Sequence, residues 1–463
     1  MVRLTPLCLI IALGCLAIPV FLVHMPPLLD YPNHFARLWL LAGGIETSPL
    51  NTMYSVDWSG ASTNIGIDLI AVTLGRLIGA DTLLPSLLAA ALILPPLGAA
   101  LLNRAVFGGW HWWAVGFAAL AWNTTLLAGF LNFQIGLGLA LLAAAIDPAV
   151  NCRAGLLGTF LIRVVLGGFL LVFHVFAAGF YGVVLAGLAF GPDCAPFANA
   201  RELGLASLRV AKAVGSGVGV PLIAFLLLAP VLPGGHAPPG VYEAWNGYSL
   251  ANKLTTLLSA ITTYDIRIDL FVAIVLWATA RLATNKALSR VHSGLILAAL
   301  GLVFLSIVVP STAGGTAFID MRFPIMAVLT AVSALRPGFR TSWPGSVAAC
   351  ALLLLVMART FWILEIWQER EIDVVSIERA LSLVPPGAAV LPAQQVADDH
   401  QPSLRGQFIL GHLASSHVPA LAVPLRHAFV PTLFTAPGKQ PLRVLQPWKS
   451  ISVLEGQGHS VLP

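Results

Sequence analysis

Long apolar runs separated by short polar stretches recur along this chain from Leu4 to Leu364. Wound as helices, runs of about 17 to 25 apolar residues match the thickness of a bilayer's hydrocarbon core. They fall near residues 5–24, 83–103, 112–130, 132–147, 155–173, 174–191, 213–232, 268–284, 291–310, 323–336 and 344–364. The pattern predicts an all-α polytopic membrane protein with about eleven transmembrane helices, residues 1–364 forming the membrane domain. Two further pieces, 31–43 and 64–79, are apolar but short, and are interrupted by Arg37 and by Asp68 and Arg76. They are expected to lie as interfacial helices within a first outer loop, 25–82. If 64–79 crossed the membrane instead, every later loop would change sides.

After Leu364 the pattern changes. "EIWQEREIDVVSIERALSLVPPGAAVLP" is charged and helical, and the remainder of the chain is Pro-rich with short strand-like pieces such as "PALAVPLRHAFVPTLF". This predicts a small α+β C-terminal domain, 365–463, on the outer side of an odd number of spans.

Composition supports the membrane reading: 58% of residues are hydrophobic, 10% are charged, and the mean hydropathy is +0.87. Arg3, Arg104, Arg153, Arg201, Arg209, Lys212, Arg281, Lys286, Arg290, Arg336 and Arg340 all fall in segments assigned to the inner side. Asp30, Glu46, Asp57, Asp68, Asp81, Glu243, Asp265, Asp269 and Asp320 fall in outer ones. Both biases place the amino terminus inside. The basic residues sit in short clusters between apolar runs, which accounts for the pI near 9.1 without nucleic acid, and no nucleic-acid partner is expected. The first run lacks a small-x-small cleavage site before Pro26 and is read as a retained signal anchor. Cys8, Cys15, Cys152, Cys194 and Cys350 show neither a disulfide framework nor zinc-ligand spacing. Walker, G-x-S-x-G, H-E-x-x-H and dinucleotide fingerprints are absent, as are internal repeats.

The candidate chemistry begins at "PPLLDYPNHFARLWLL", residues 26–41. If a helix starts at Asp30, then Asp30, His34 and Arg37 share one face. A carboxylate at the membrane surface can take a proton from an alcohol or amine, and a neighbouring guanidinium can hold a phosphate. Against this, Asp before Pro is a good helix N-cap, and Arg37 can snorkel to lipid phosphate. A second outer constellation, Asp320 and Arg322, precedes the tenth span, where Arg322 is suited to neutralise a departing lipid phosphate. A local surface pair at a helix start would look the same. His174, at an outer turn, either bonds between helices or lines a reaction cavity. Asn132 and Gln134 lie at another outer turn, and Tyr242 and Trp245 in "VYEAWNGYSL" are candidates for sugar stacking or interfacial anchoring.

This arrangement resembles the GT-C superfamily of membrane glycosyltransferases, which includes protein O-mannosyltransferases and the aminoarabinose transferases of lipid A. More narrowly, "PPLLDYPNHFARLWLL", "GFLNFQIGLGLALL", "IDMRFPIMAVL" and "RHAFVPTLF" look like a group of bacterial membrane proteins. The resemblance implies an inner-membrane enzyme that moves a sugar, with inversion, from a polyprenyl phosphate donor to a glycan or lipid acceptor at the outer face. By carry-over Asp30 matches the general base, and Arg322 the arginine on the donor phosphate. His34, Arg37, His174, Tyr242, Trp245 and Asp320 complete the expected substrate contacts. Asp30 is followed by Tyr31, so the carboxylate pair that many members carry is absent, and a divalent metal is left open with no such pair to hold it. Two non-enzymatic readings stand beside this one: a transporter or flippase for a lipid-linked glycan, and a scaffold for envelope polysaccharide assembly.

Overall fold

The computed structural model describes residues 4–192, 200–229, 250–282, 289–313, 316–339, 342–393, 404–436 and 439–453. Six of its helices are long and apolar enough to cross a membrane: Leu4–Leu22, Ala80–Phe107, Leu131–Arg153, Gly155–Phe173, Arg201–Leu228 and Trp343–Leu381. Val175–Phe190, Ser293–Val308 and Arg322–Ser333 are apolar but shorter. Large apolar side chains stay exposed along their outer faces, among them Leu157, Val165, Leu300, Phe304 and Leu354. A helix that is apolar towards both its neighbours and its surroundings suits a lipid environment. Length and composition therefore agree on a mostly helical, multi-pass membrane protein.

The helices used below are α1 (Leu4–Leu22), α2 (Tyr31–Leu41), α3 (Gly66–Ile70), α4 (Ala80–Phe107), α5 (Leu131–Arg153), α6 (Gly155–Phe173), α7 (Val175–Phe190), α8 (Ile266–Leu282), α9 (Ser293–Val308), α10 (Arg322–Ser333) and α11 (Ser342–Leu381). Close packing of α4 on α5 is set by glycine: a Cβ on Gly138 would stand 2.3 Å from the Leu94 Cβ, and one on Gly98 2.7 Å from the Leu141 Cβ. Small residues let helices approach where no hydrophobic effect drives them together.

Several elements differ from the pattern-based expectation. The stretch 112–130 is not one α-helix: Trp112–Ala121 forms a fully buried 3-10 run, followed by the short helix Thr124–Leu127. Its small and aromatic side chains fill a slot inside the bundle, so it packs on every face and the apolar period carries no information about helix type. The second short piece of the first loop is α3 prolonged through a π-turn, Ala71–Gly75, to Arg76–Ile78. At about 1.5 Å per residue this run is shorter than a hydrocarbon core. No chain break falls at 364. Helix α11 runs on for 40 residues, about 60 Å, so roughly half of it extends beyond one bilayer core.

The C-terminal segment folds back onto the first loop. Strand β1 (Tyr54–Val56) pairs antiparallel with β2 (Leu442–Val444), with Tyr54 opposite Val444. Residues such as Val418, Leu421, Phe429 and Leu433 are buried in the same continuous core as α2 and α4. The described residues of this segment, 404–436 and 439–453, thus carry little regular structure of their own and pack on the first loop and the bundle.

Several charges inside the bundle are paired. Arg163 holds Asp147 through two hydrogen bonds, Nε–Oδ1 at 2.7 Å and Nη2–Oδ2 at 2.8 Å. Arg359 bonds Asp269 at 2.6 Å, and Lys253 bonds Asp320 at 2.5 Å. Ionised groups withdrawn from water need a partner of opposite sign, and these pairs supply it.

Candidate functional site

A small, partly open cavity, about 70 Å³, lies at one end of the bundle, where α2, α5 and α10 begin and α6 passes into α7. Asp30, His34, Arg37, His174 and Arg322 all line it, together with Asn64, Phe130, Asn132, Phe133, Phe434 and Gln440. Residues separated by almost 300 positions are therefore brought together around a volume worth two or three waters at about 30 Å³ each. Arg104 and Arg153 lie at the far ends of α4 and α5, away from it.

Asp30 precedes α2 and occupies its N-cap position, but its side chain makes no capping hydrogen bond. The helix begins at Tyr31, where the short apolar piece 31–43 begins, with Pro32 in its first turn. Its backbone is held instead by the chain leading to α5: Leu29 N donates to Leu127 O at 3.0 Å and Asp30 N to Ala128 O at 3.2 Å. Gly129 closes that contact with φ of +84°, and a Cβ there would stand 2.9 Å from the Asp30 Cβ. Gly129→Ala combines a disfavoured backbone angle with that clash, so it is expected to cost about 1–3 kcal/mol and to displace Asp30. Thermal unfolding in detergent checks this, with Ala128→Gly as the control for a change of similar size next door.

His34 and Arg37 follow one and two turns along α2. His34 Nε2 lies 3.1 Å from Gly129 O. A carbonyl only accepts, so Nε2 carries the proton and Nδ1 is a bare acceptor. That Nδ1 is buried and has no hydrogen-bond partner among the described residues. Burial, and then the positive charge of Arg37, push the His34 imidazole well below its usual pKa, which keeps the ring neutral.

Arg37 is fully buried and meets Asp68 of α3, with Nε 2.9 Å from Oδ1 and Nη2 3.3 Å from Oδ2. The guanidinium expected to snorkel or bind phosphate is therefore largely occupied by a carboxylate. Its Nη1 remains without a hydrogen-bond partner among the described residues.

His174 caps α7 by accepting from Phe176 N at 3.2 Å, and its ring meets Phe133 edge-on. It thus both starts a helix and lines the cavity. Arg322 begins α10 and donates from Nη1 to Ala317 O at 3.1 Å. Its guanidinium carbon lies 4.8 Å from the Phe130 ring centre, 5.1 Å from Phe176 and 5.8 Å from Phe133. Three aromatic faces hold the cation in place by cation–π attraction.

The other candidates take different positions. Asp320 does not line the cavity: Lys253 Nζ, Ser311 Oγ at 2.6 Å and Met321 N at 3.0 Å use its carboxylate. Being two residues from Arg322, it points to another face of the helix start. Asn132 lines the cavity, but its amide is committed to Ile67 N at 2.9 Å and Asn64 O at 2.8 Å, which fixes α3. Gln134 is tied to Asn123 at 2.9 Å and Thr125 at 2.8 Å. Tyr242 and Trp245 lie outside the described residues. Among the described residues no group of three or more His, Cys, Asp or Glu is arranged to hold a metal ion.

The sequence reading missed Asp68, Asn33, His417, Phe434 and Gln440. Asp68 had a readable signal, since a lone acid and a lone base in two neighbouring apolar pieces invite pairing. The others had none, because they depend on how the C-terminal segment folds back. Asn33 Nδ2 donates to Thr432 O at 2.9 Å, and Phe434 N donates to Asn33 Oδ1 at 2.8 Å. Phe434 in turn packs edge-on against His34 and His417.

Beside the cavity runs an apolar trough. One part, about 200 Å³, is lined by Phe176, Phe180, Val183, Leu305 and Phe323, and the next, about 440 Å³, by Val183, Phe190, Leu297, Phe304 and Leu305. The two share Val183 and Leu305, and Phe176 joins the first to the Arg322 guanidinium. Compared with family models, curated proteins and solved structures, the chain finds no match.

Proposed function

We propose that this protein transfers a sugar from a polyprenyl phosphate donor to a hydroxyl or amine of an envelope acceptor, at the outer face of a bacterial inner membrane. The observation that carries the reading is the shared wall of one cavity: Asp30, a carboxylate not spent on capping, faces the same space as the Arg322 guanidinium. Two buried polar atoms on that wall with no hydrogen-bond partner among the described residues, His34 Nδ1 and Arg37 Nη1, support it, since a buried polar group calls for a polar contact from water, an ion or a ligand. The adjoining apolar trough suits a long hydrocarbon tail whose head reaches Arg322.

In this reading Asp30 takes the proton from the acceptor as its oxygen or nitrogen attacks the anomeric carbon. The bond from that carbon to the phosphate oxygen breaks, and the electron pair leaves with the phosphate towards Arg322. One displacement inverts the anomeric centre. A charged group on the leaving oxygen is worth most where water is excluded, and three aromatic rings exclude it here. The cavity takes a phosphate-sized group.

The transporter and scaffold readings draw less support. The intramembrane charges Arg163 and Arg359 are paired with Asp147 and Asp269, leaving no string of charges along a path among the described residues. Residues 404–436 and 439–453 are packed on the first loop and the core rather than presented as a separate partner-binding module.

The test is binding of undecaprenyl phosphate to the full chain in nanodiscs, followed by native mass spectrometry. Arg322→Gln is expected to weaken binding by about tenfold to a hundredfold, the worth of one charge-assisted hydrogen bond. Arg104→Gln, at the opposite end, is expected to leave binding unchanged. Equal binding by wild type and Arg322→Gln removes Arg322 from the site.

A further inference from the structure

Asn33 cannot turn its amide over without losing two backbone contacts. Its Oδ1 accepts from Phe434 N at 2.8 Å and its Nδ2 donates to Thr432 O at 2.9 Å, so oxygen and nitrogen are fixed by the chain itself. The same Nδ2 lies 3.3 Å from His417 Nδ1. An amide nitrogen only donates, so His417 Nδ1 is the acceptor and its ring proton sits on Nε2. That Nε2 lies 3.6 Å from Asp30 Oδ1. Catalytic hydrogen bonds are often this long before substrate binds and tighten when it does.

From this chain of contacts we infer that His417, supplied by the C-terminal segment, is the positioning residue of Asp30: its Nε2–H orients the carboxylate, turning Oδ2 towards the acceptor. Asn33 sets the tautomer that makes this possible. The role in transfer rests on the function proposed above, whereas the tautomer and the contact do not. The C-terminal segment thereby completes the site. Oδ1 receives the Nε2–H, and Oδ2 takes the acceptor's proton. His417 keeps its proton throughout and needs no second base.

The surroundings fit a ring held rather than a ring that shuttles. Phe434 packs edge-on against His417, with centroids 5.3 Å apart, and Val418 beside it is buried in the core. The ionisable groups that meet it are Asp30, 3.6 Å away, and His34 on α2.

Solid-state NMR of the full chain labelled with ¹⁵N-histidine in nanodiscs tests the geometry without any substrate. At pH 7 the signal lost in His417→Gln is expected to report a bare Nδ1 and a protonated Nε2. Asn33→Asp is expected to move the proton onto Nδ1, and Asp30→Asn to shift the Nε2 resonance. A protonated Nδ1 in the wild type, or an Nε2 resonance indifferent to Asp30→Asn, overturns the inference. For the role itself, transfer from a short-chain polyprenyl phosphate sugar is compared among variants. His417→Ala is expected to lower kcat at least tenfold with KM little changed, and His417→Gln, whose amide can still donate, to recover part of it. Equal losses in the two variants, or a loss confined to KM, overturn it as well. If the wild type transfers no sugar, the proposed function fails, and the NMR result still decides whether His417 orients Asp30.

Discussion

Asp30→Asn is expected to reduce sugar transfer by about a hundredfold to ten-thousandfold, the usual worth of a positioned general base. An amide keeps the size and shape of the carboxylate but cannot take the acceptor's proton. Because the Asp30 side chain makes no helix-capping bond, the substitution leaves α2 with every hydrogen bond it has. Its backbone hydrogen bond to Ala128 O is untouched, since it involves no side-chain atom of Asp30. The protein should therefore reach the membrane in normal amount and unfold at the wild-type temperature. Both measurements are needed together: lost transfer with normal unfolding assigns Asp30 to the chemistry, whereas unchanged transfer removes it. Were Asp30 merely a cap, the outcome would be reversed, with a stability loss of about 1 kcal/mol and activity kept.

Arg37→Met is expected to destabilise the protein by about 3–5 kcal/mol, because it leaves the Asp68 carboxylate buried and alone. Both side chains of this pair have no exposed surface, so water cannot replace the missing partner. Asp68→Leu should do the same by stranding Arg37. The double variant, Arg37→Met with Asp68→Leu, is expected to recover most of the loss, since apolar groups of similar volume can replace a buried pair at little cost. Thermal or denaturant unfolding of the four proteins in one detergent gives the coupling directly. Simple additivity of the two single losses would mean that the pair is not coupled. A recovered fold with weakened binding of undecaprenyl phosphate would separate the structural use of Arg37 from its unpartnered Nη1.

These two experiments bear on different layers of the molecule. Arg37 and Asp68 lock α2 to α3, and that lock sets the wall on which Asp30 and His34 stand. A stability loss at the pair is therefore expected to carry an activity loss with it, whereas Asp30→Asn loses activity alone.

Much of the architecture was legible in the sequence because its cause is local. Apolar length alone marks Leu4–Leu22, Leu131–Arg153 and Gly155–Phe173 as helices able to cross a membrane. Helical spacing likewise put Asp30, His34 and Arg37 on one side of a short helix, and all three line one cavity. The proline signal marked the start of α2.

What only the tertiary structure decided are contacts between distant parts of the chain, for which hydrophobic period carries no register. The run 112–130 is apolar enough for a span, yet packing on all sides makes its first part a 3-10 helix. Arg37 was expected at the membrane surface, but Asp68, 31 residues away, withdraws it into the core. Asp320 looked like the partner of Arg322 by proximity, yet it belongs to Lys253, 67 residues away. His417 reaches Asp30 only because the C-terminal segment adds a strand to the first loop and fixes Asn33 between two backbone groups. Sequence pattern thus determined which elements form, since each arises from local propensity and burial. Which charge meets which was settled by the long-range fold, where opposite charges leave water only when packing brings them together.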